Sequence, residues 1–196
     1  MDEGTVNSTA SDEDLMTRYM AGDERAFEIV YRRHREAVRR FLARQSGSVA
    51  VGQELGQEVW FRVIRAVQDN RYSADGRFRP YLFRIARNHL IDWYRKTGSY
   101  REVDIDDTSD ADLDSGIDDS QPIRNPEQIL QSQQKMKTVL AAIEELPEAQ
   151  KTAILMSMES DMSYEEIAEA TGTNRETVKS RLRYARQTLR QKVFTE

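Results

Sequence analysis

Two helix-start signals stand ten residues apart near the C-terminus, Ser163 with Glu166 and Thr173 with Glu176, and no other feature limits the fold so strongly. Each is the S/T-x-x-E pattern in which a hydroxyl and a carboxylate satisfy the free amides of a first helical turn. Between them Ala168 is small enough for close helix contact, Gly172 can adopt a left-handed turn, and Val178 is placed to anchor the second helix on the first. The segment therefore reads as a helix-turn-helix. Its second helix carries Arg175, Lys179, Arg181, Arg183, Arg186, Arg190 and Lys192 against one acid, Glu176. A merely solvated face usually mixes signs and gains intrahelical pairs. Charge of one sign suits the phosphates of a nucleic acid instead. The apolar stripe Val178, Leu182, Ala185 and Leu189 is needed on either reading.

The net charge of −5 would argue against such a partner only if it were evenly spread. Residues 1–14 hold five acids and no base, and residues 101–127 hold ten acids against Arg101 and Arg124. Residues 15–100 have 17 basic and 9 acidic side chains, while residues 128–196 balance at 10 and 10. Two acidic segments thus hide two plausible DNA-facing surfaces. The 101–127 stretch is rich in Asp, Ser and Gly and ends on Pro122 and Pro126, which predicts a flexible acidic linker. The expected organisation is all-α: a helical domain over 12–97, a linker over 98–130 and the helix-turn-helix domain over 131–196. A charged fraction of 32% favours such small helical domains over one thick core.

Several chemistries find no support. Asp110-x-Asp112-x-Asp114 resembles the start of a calcium loop, but the glycine falls one place late at Gly116 and Gln121 stands where the final Glu belongs. With no cysteine, and with His34 and His89 isolated from each other, the sequence implies no disulfide, metal or cofactor. No apolar run approaches the roughly 18 residues that a span needs, and the acidic start is unlike a signal peptide, so the expected place is the cytoplasm without membrane insertion.

Residues 12–96 read as successive helices. Phe27, Val30, Tyr31, His34, Val38, Phe41 and Leu42 form one core stripe, and Leu55, Val59, Val63 and Val67 form another. Gly47 to Gly52 and Asn70 to Gly76 read as breaks. The helix predicted from Phe78 to Lys96 puts Pro80 in its first turn and interleaves aromatics with Arg79, Arg84, Arg87, Arg95 and Lys96. Basic groups beside aromatic faces suit a single strand with unstacked bases. Leu82, Ile85, Ala86, Leu90 and Trp93 are expected to be plain core, leaving the polar face and the preceding loop for DNA.

Taken together, Gln57-Glu58-Val-Trp-Phe-Arg62, the Phe78 to Lys96 helix and Leu146-Pro147 through Leu189, with Thr177-Val-Lys-Ser-Arg-Leu182 the most specific part, resemble the extracytoplasmic function sigma factors. These are the two-domain initiation subunits of bacterial RNA polymerase. The resemblance covers about residues 12–96 and 135–193. It implies that Glu54, Leu55, Gln57, Glu58, Phe61 and Arg62 bind core polymerase. It assigns Asn70, Arg77, Arg79, Arg84, Arg87, Asn88, Asp92 and Arg95 to the opened minus-ten element. For the minus-35 duplex it implies Asn174, Arg175, Glu176, Thr177, Lys179, Ser180 and Arg183. The polymerase would supply the phosphodiester chemistry, so no catalytic group is expected. An anti-sigma factor is a partner the family often has.

One departure matters. Acids usually precede the Gln-Glu pair in the family, whereas here the positions are Val51, Gly52, Gln53 and Glu54. The contact is rebuilt from Glu54 and Glu58, or is weak by design, or gains charge after synthesis. On the third option a Ser/Thr kinase would act at Ser46 or Ser48, each phosphate adding about −1.5 to −2. The rival reading is a free-standing regulator that binds palindromic duplex sites as a dimer. An enzyme using the linker aspartates with a divalent ion is a third class.

Overall fold

The computed structural model describes residues 10–73, 76–98 and 136–194. Outside them lie residues 1–9 of the acidic N-terminal run, residues 74 and 75 of the second break, nearly all of the expected linker and the calcium-like aspartates. Among the described residues every regular element is a helix: α1 (Asp12–Met20), α2 (Glu24–Ser46), α3 (Val49–Gln68), α4 (Phe78–Thr97), α5 over 136–144, α6 (Glu148–Ser160), α7 (Tyr164–Thr171) and α8 (Arg175–Phe194).

The helices begin and end where local chemistry allows. Ser11 caps α1 by accepting from the Asp14 amide at 3.1 Å, and Asp23 caps α2 by accepting from Arg25 and Ala26. Gly47 ends α2 in a left-handed conformation at φ 69°. The chain re-enters a helix almost at once, with Ser48 capping α3 through the Val51 amide. This corrects the expected break over Gly47 to Gly52: it is one turn at Gly47, and Gly52 lies inside α3. Gly52 is where α3 crosses α2, since a Cβ on it would lie 2.5 Å from the backbone N and Cα of Ala43. A glycine read as punctuation is in fact a packing contact.

The stripes then do what their periods imply. Val30, Val38, Phe41 and Leu42 of α2 meet Leu55, Val59 and Val63 of α3 and Leu82, Ala86 and Leu90 of α4, all buried. Phe41 and Phe83 pack edge to face with centroids 5.4 Å apart. Tyr31 departs from its stripe: it is 37% exposed and stacks edge-on against Trp60 at 5.0 Å.

Helix α1 is pinned from the side. Asp12 takes Arg33 at 2.8 Å and His34 Nε2 at 2.5 Å, which gives His34 a structural partner. Burial pushes the Asp12 carboxyl up, but His34 and Arg33 outweigh it and hold the carboxyl below its ordinary value. A lowered folded pKa means a contribution that is full above about pH 4 and lost as pH falls through the folded value. Asp12→Asn is therefore expected to destabilise the chain at pH 7, with the effect shrinking progressively as pH falls below about 4, as read from unfolding midpoints.

In the C-terminal half, Ser163 and Glu166 form the complete capping box of α7, with Ser163 N donating to Glu166 Oε2 at 2.9 Å and Glu166 N donating to Ser163 Oγ at 3.2 Å. Gly172 takes the left-handed turn at φ 69°. The second start differs from expectation. Asn174 caps α8, its Oδ1 accepting from Thr177 N at 2.7 Å, while the Thr173 hydroxyl pairs with that of Thr171. The amide oxygen of Asn reaches the free N–H as well as a hydroxyl does, so the cap slides by one residue. Val178, Leu182 and Ala185 are fully buried in this domain.

Candidate nucleic-acid and partner interfaces

Burial of Val178, Leu182 and Ala185 turns the opposite side of α8 to solvent. Asn174, Arg175, Glu176, Lys179 and Arg186 are exposed along α8, with Thr177, Ser180 and Arg183 half-buried. Arg175 is oriented by Glu165 at 2.5 Å and lies 5.8 Å over the Tyr164 ring. Arg183 lies 4.9 Å over the ring of Tyr184. The first turn of α8 thus presents held guanidinium, amide and carboxylate groups together with Lys179.

Helix α4 has two polar faces. One carries exposed Arg84, Asn88 and Arg95 with half-buried Tyr81 and Asp92 at helical spacing. Arg84 lies 5.7 Å over Tyr81, which packs on Tyr72 at 4.9 Å. Arg62 of α3 reaches to 3.9 Å from Asp92, and Asn70 sits just after α3 in a left-handed conformation at φ 53°. The other face is turned toward the C-terminal helices. Arg79 donates from Nε and Nη2 to Glu166 Oε1 at 3.0 and 2.8 Å, and Arg77 pairs with Glu169 at 3.0 Å. Arg87 acts on Glu148 and on Arg181. Burial holds the Arg181 guanidinium below its ordinary range, and neighbouring Arg87 adds to that. The eight residues expected at the minus-ten element therefore do not share one face.

Helix α3 presents Gln53, Glu54, Gln57, Glu58, Phe61, Arg62 and Arg65 to solvent on one stripe. Phe61 is 56% exposed, an apolar group with nothing covering it, whereas Leu55 is 4% exposed and belongs to the core. Alongside, α2 and α3 form a groove of about 750 Å³ with Phe27, Tyr31, Trp60, Phe61, Glu24 and Glu28 among its lining. Sequence reading missed this aromatic groove because Phe27 and Tyr31 fit a core period; the adjacent Arg32, Arg33 and Arg35 are the sign that the helix side there is wet. At the corner before α3, Ser46 Oγ donates to the carbonyls of Ala43 and Ser48 at 3.4 and 3.2 Å, and Ser48 Oγ accepts from Val51 N. Val49, the first residue of α3, is 65% exposed.

Among the described residues there is no group of three or more metal-capable side chains, and no helix is long and apolar enough to cross a membrane.

Comparison with known proteins places this geometry. Residues 30–100 match the model of Sigma-70 region 2, and residues 136–189 match that of Sigma-70 region 4. The ECF RNA polymerase sigma-E factor of Escherichia coli is 31% identical over 194 residues, an alignment covering 96% of this chain and 97% of that protein. This chain belongs to the ECF sigma factors. The RNA polymerase sigma-H factor of Pseudomonas aeruginosa is 29% identical, with 91% of each protein covered. ECF sigma factor SigE of Mycolicibacterium smegmatis is 31% identical over 86% of this chain, which spans 63% of that longer protein. Two solved structures share the fold. CnrH in complex with the cytosolic domain of CnrY has a TM-score of 0.63 at 22% identity, covering 92% of this chain and 95% of CnrH. The Bartonella quintana sigma factor RpoE in complex with the anti-sigma factor NepR has a TM-score of 0.61 at 24% identity, covering 86% and 96%. In sigma-factor terms, α2 to α4 form region 2 and α5 to α8 form region 4.

Proposed function

We propose that this sigma factor docks on core polymerase through the exposed stripe of α3 and the neighbouring aromatic groove. It then takes unstacked minus-ten bases on the Tyr81, Arg84, Asn88, Asp92 and Arg95 face of α4, and lays the first turn of α8 in the major groove of the minus-35 duplex. The observation that carries this reading is the pairing, on one chain, of a basic-aromatic helix suited to single strands with a recognition helix suited to duplex. A duplex-only dimeric regulator has use for the second alone. In this reading the polymerase performs all the covalent chemistry, the site of action is the cytoplasm, and an anti-sigma factor, as the Bartonella quintana protein has, is a further partner.

Binding of the full chain to core polymerase from its own host tests it. Phe61→Asp places a charge in the middle of the proposed contact and is expected to weaken binding by about a hundredfold, in the range of interface hot spots, with an unchanged unfolding midpoint. Equal binding of variant and parent would remove α3 from the interface. The same experiment addresses phosphorylation. A phosphate on Ser48 would meet the free amides of the first turn of α3, where negative charge is favoured. A kinase-modified chain that binds no more tightly than the unmodified one would leave Ser46 and Ser48 without that role.

For the DNA side, Lys179→Ala is expected to weaken minus-35 duplex binding by the holoenzyme and to lower the slope of log K against log salt by about 0.9 if Lys179 neutralises a phosphate. An unchanged slope with altered sequence preference would assign Lys179 to a base edge.

A further inference from the structure

Region 2 and region 4 meet on a surface that sets cations of one against anions of the other. Arg40 and Arg44, successive turns of α2, each place Nε 2.5 Å from a carboxylate oxygen of Glu159. Arg79 donates Nη1 to the carbonyl of Ser160 at 2.8 Å and its other two nitrogens to Glu166. Arg77 completes the row with Glu169. Ser160 is the last residue of α6, so these arginines gather on the negative end of a helix as well as on three carboxylates. Two of the anions are well covered, with 7% of the Glu159 side chain and 10% of the Glu166 side chain accessible, while Glu169 at the end of the row is 38% accessible. Within the same interface Gln45 Nε2 donates to Thr152 Oγ1 at 2.8 Å, a buried bond between residues 107 apart in sequence.

We propose that Arg40, Arg44, Arg77 and Arg79 form a phosphate-binding face for promoter DNA, and that Glu159, Glu166 and Glu169 occupy it in the closed molecule as carboxylate substitutes for phosphate. The inference rests on the sigma-factor reading and adds to it a surface, half of it on α2, together with an intrinsic block. All four cations are arginines, whose fork fits carboxylate and phosphate oxygens alike. The closed form cannot serve both promoter elements. These are about 25 base pairs apart, roughly 85 Å at about 3.4 Å each, whereas here α4 and α7 pack directly on one another. The 37 residues from 99 to 135 can extend to about 120 Å, so the connection permits separation. The base-reading sides of α4 and α8 stay uncovered. Closure therefore withholds backbone affinity and leaves sequence preference intact.

The test uses the full chain and Glu159→Gln with Glu169→Gln, Glu166 being kept because it also caps α7. Small-angle scattering is expected to show a larger radius of gyration for the variant. A labelled single-stranded 12-mer of mixed sequence is expected to bind about tenfold more tightly at equal salt, as release of a roughly 90% populated closed state predicts. Unchanged affinity overturns the proposal, whether or not the shape expands. As the chain has no cysteine of its own, Gln45→Cys with Thr152→Cys introduces a single pair of thiols at contact distance across the interface, to be joined as a disulfide and cleaved by reduction. The bridged protein is expected to bind the 12-mer no better than the parent and to lose promoter-specific transcription with core polymerase, both reversed on cleavage. Bridged protein that transcribes normally overturns the block. Failure of the unbridged parent, unmodified and kinase-modified alike, to bind polymerase at all is a separate readout, and it overturns the proposed docking and this inference together.

Discussion

Gly52→Ala is expected to lower the stability of region 2 by about 3 kcal/mol, the upper end of the cost of overpacking a well-filled contact. The added methyl would stand 2.5 Å from the N and Cα of Ala43 and 2.6 Å from its Cβ. Those atoms belong to the backbone and first side-chain carbon of α2, and no rotamer change moves them. The two helices must separate at their crossing, which loosens the buried contact between them. Equilibrium denaturation reads the effect as a fall in midpoint. An unchanged midpoint would mean that the crossing relaxes at no cost. Gly52→Asp is expected to be worse still, since it drives a carboxylate into the same space. This bears on polymerase binding. An acid of the kind the family carries before the Gln-Glu pair has no room at position 52, so negative charge at this contact must come from Glu54, Glu58 or a phosphate at the Ser46 to Ser48 corner.

Leu182→Ala is the second large effect. Leu182 is fully buried at the centre of region 4, and its truncation is expected to cost about 2–5 kcal/mol from lost burial and the cavity left behind. A domain of this size has little to spare. Region 4 should therefore unfold ahead of region 2, and duplex binding should fall in step with the folded fraction of region 4. The checks are helical signal and minus-35 duplex affinity measured across one temperature series. A variant that keeps its helicity and loses DNA binding would mean that α8 shifts register without unfolding.

Much of this was legible in the residues, for physical reasons. Val178, Leu182 and Ala185 fall on one helical face, and Ser163 to Glu166 is a local pattern that closes on itself. Both depend on neighbours within a turn or two, which a sequence displays directly. The misses have the opposite character. Gly52 seemed a break because its value lies in Ala43, on another helix, and a missing side chain gives no signal of what approaches it. Tyr31 shares the period of its buried neighbours, and only its facing partner Trp60 reveals a groove there. The cap of α8 moved from Thr173 to Asn174 because two adjacent residues could both supply the oxygen. Least legible of all was the row joining Arg40, Arg44, Arg77 and Arg79 to Glu159, Glu166 and Glu169, since pairing over such sequence distances has no period.

Glu166 binds the inheritance of two properties together. One of its oxygens closes the first turn of the helix-turn-helix on Ser163, and the other holds Arg79 of the opposite domain. A lineage cannot retune the grip between the halves at this position without also weakening the reader of DNA. Among the described residues Glu159 and Glu169 pair only across the two halves, so drift, or an engineer seeking graded thresholds for a synthetic promoter circuit, has those two positions to work with.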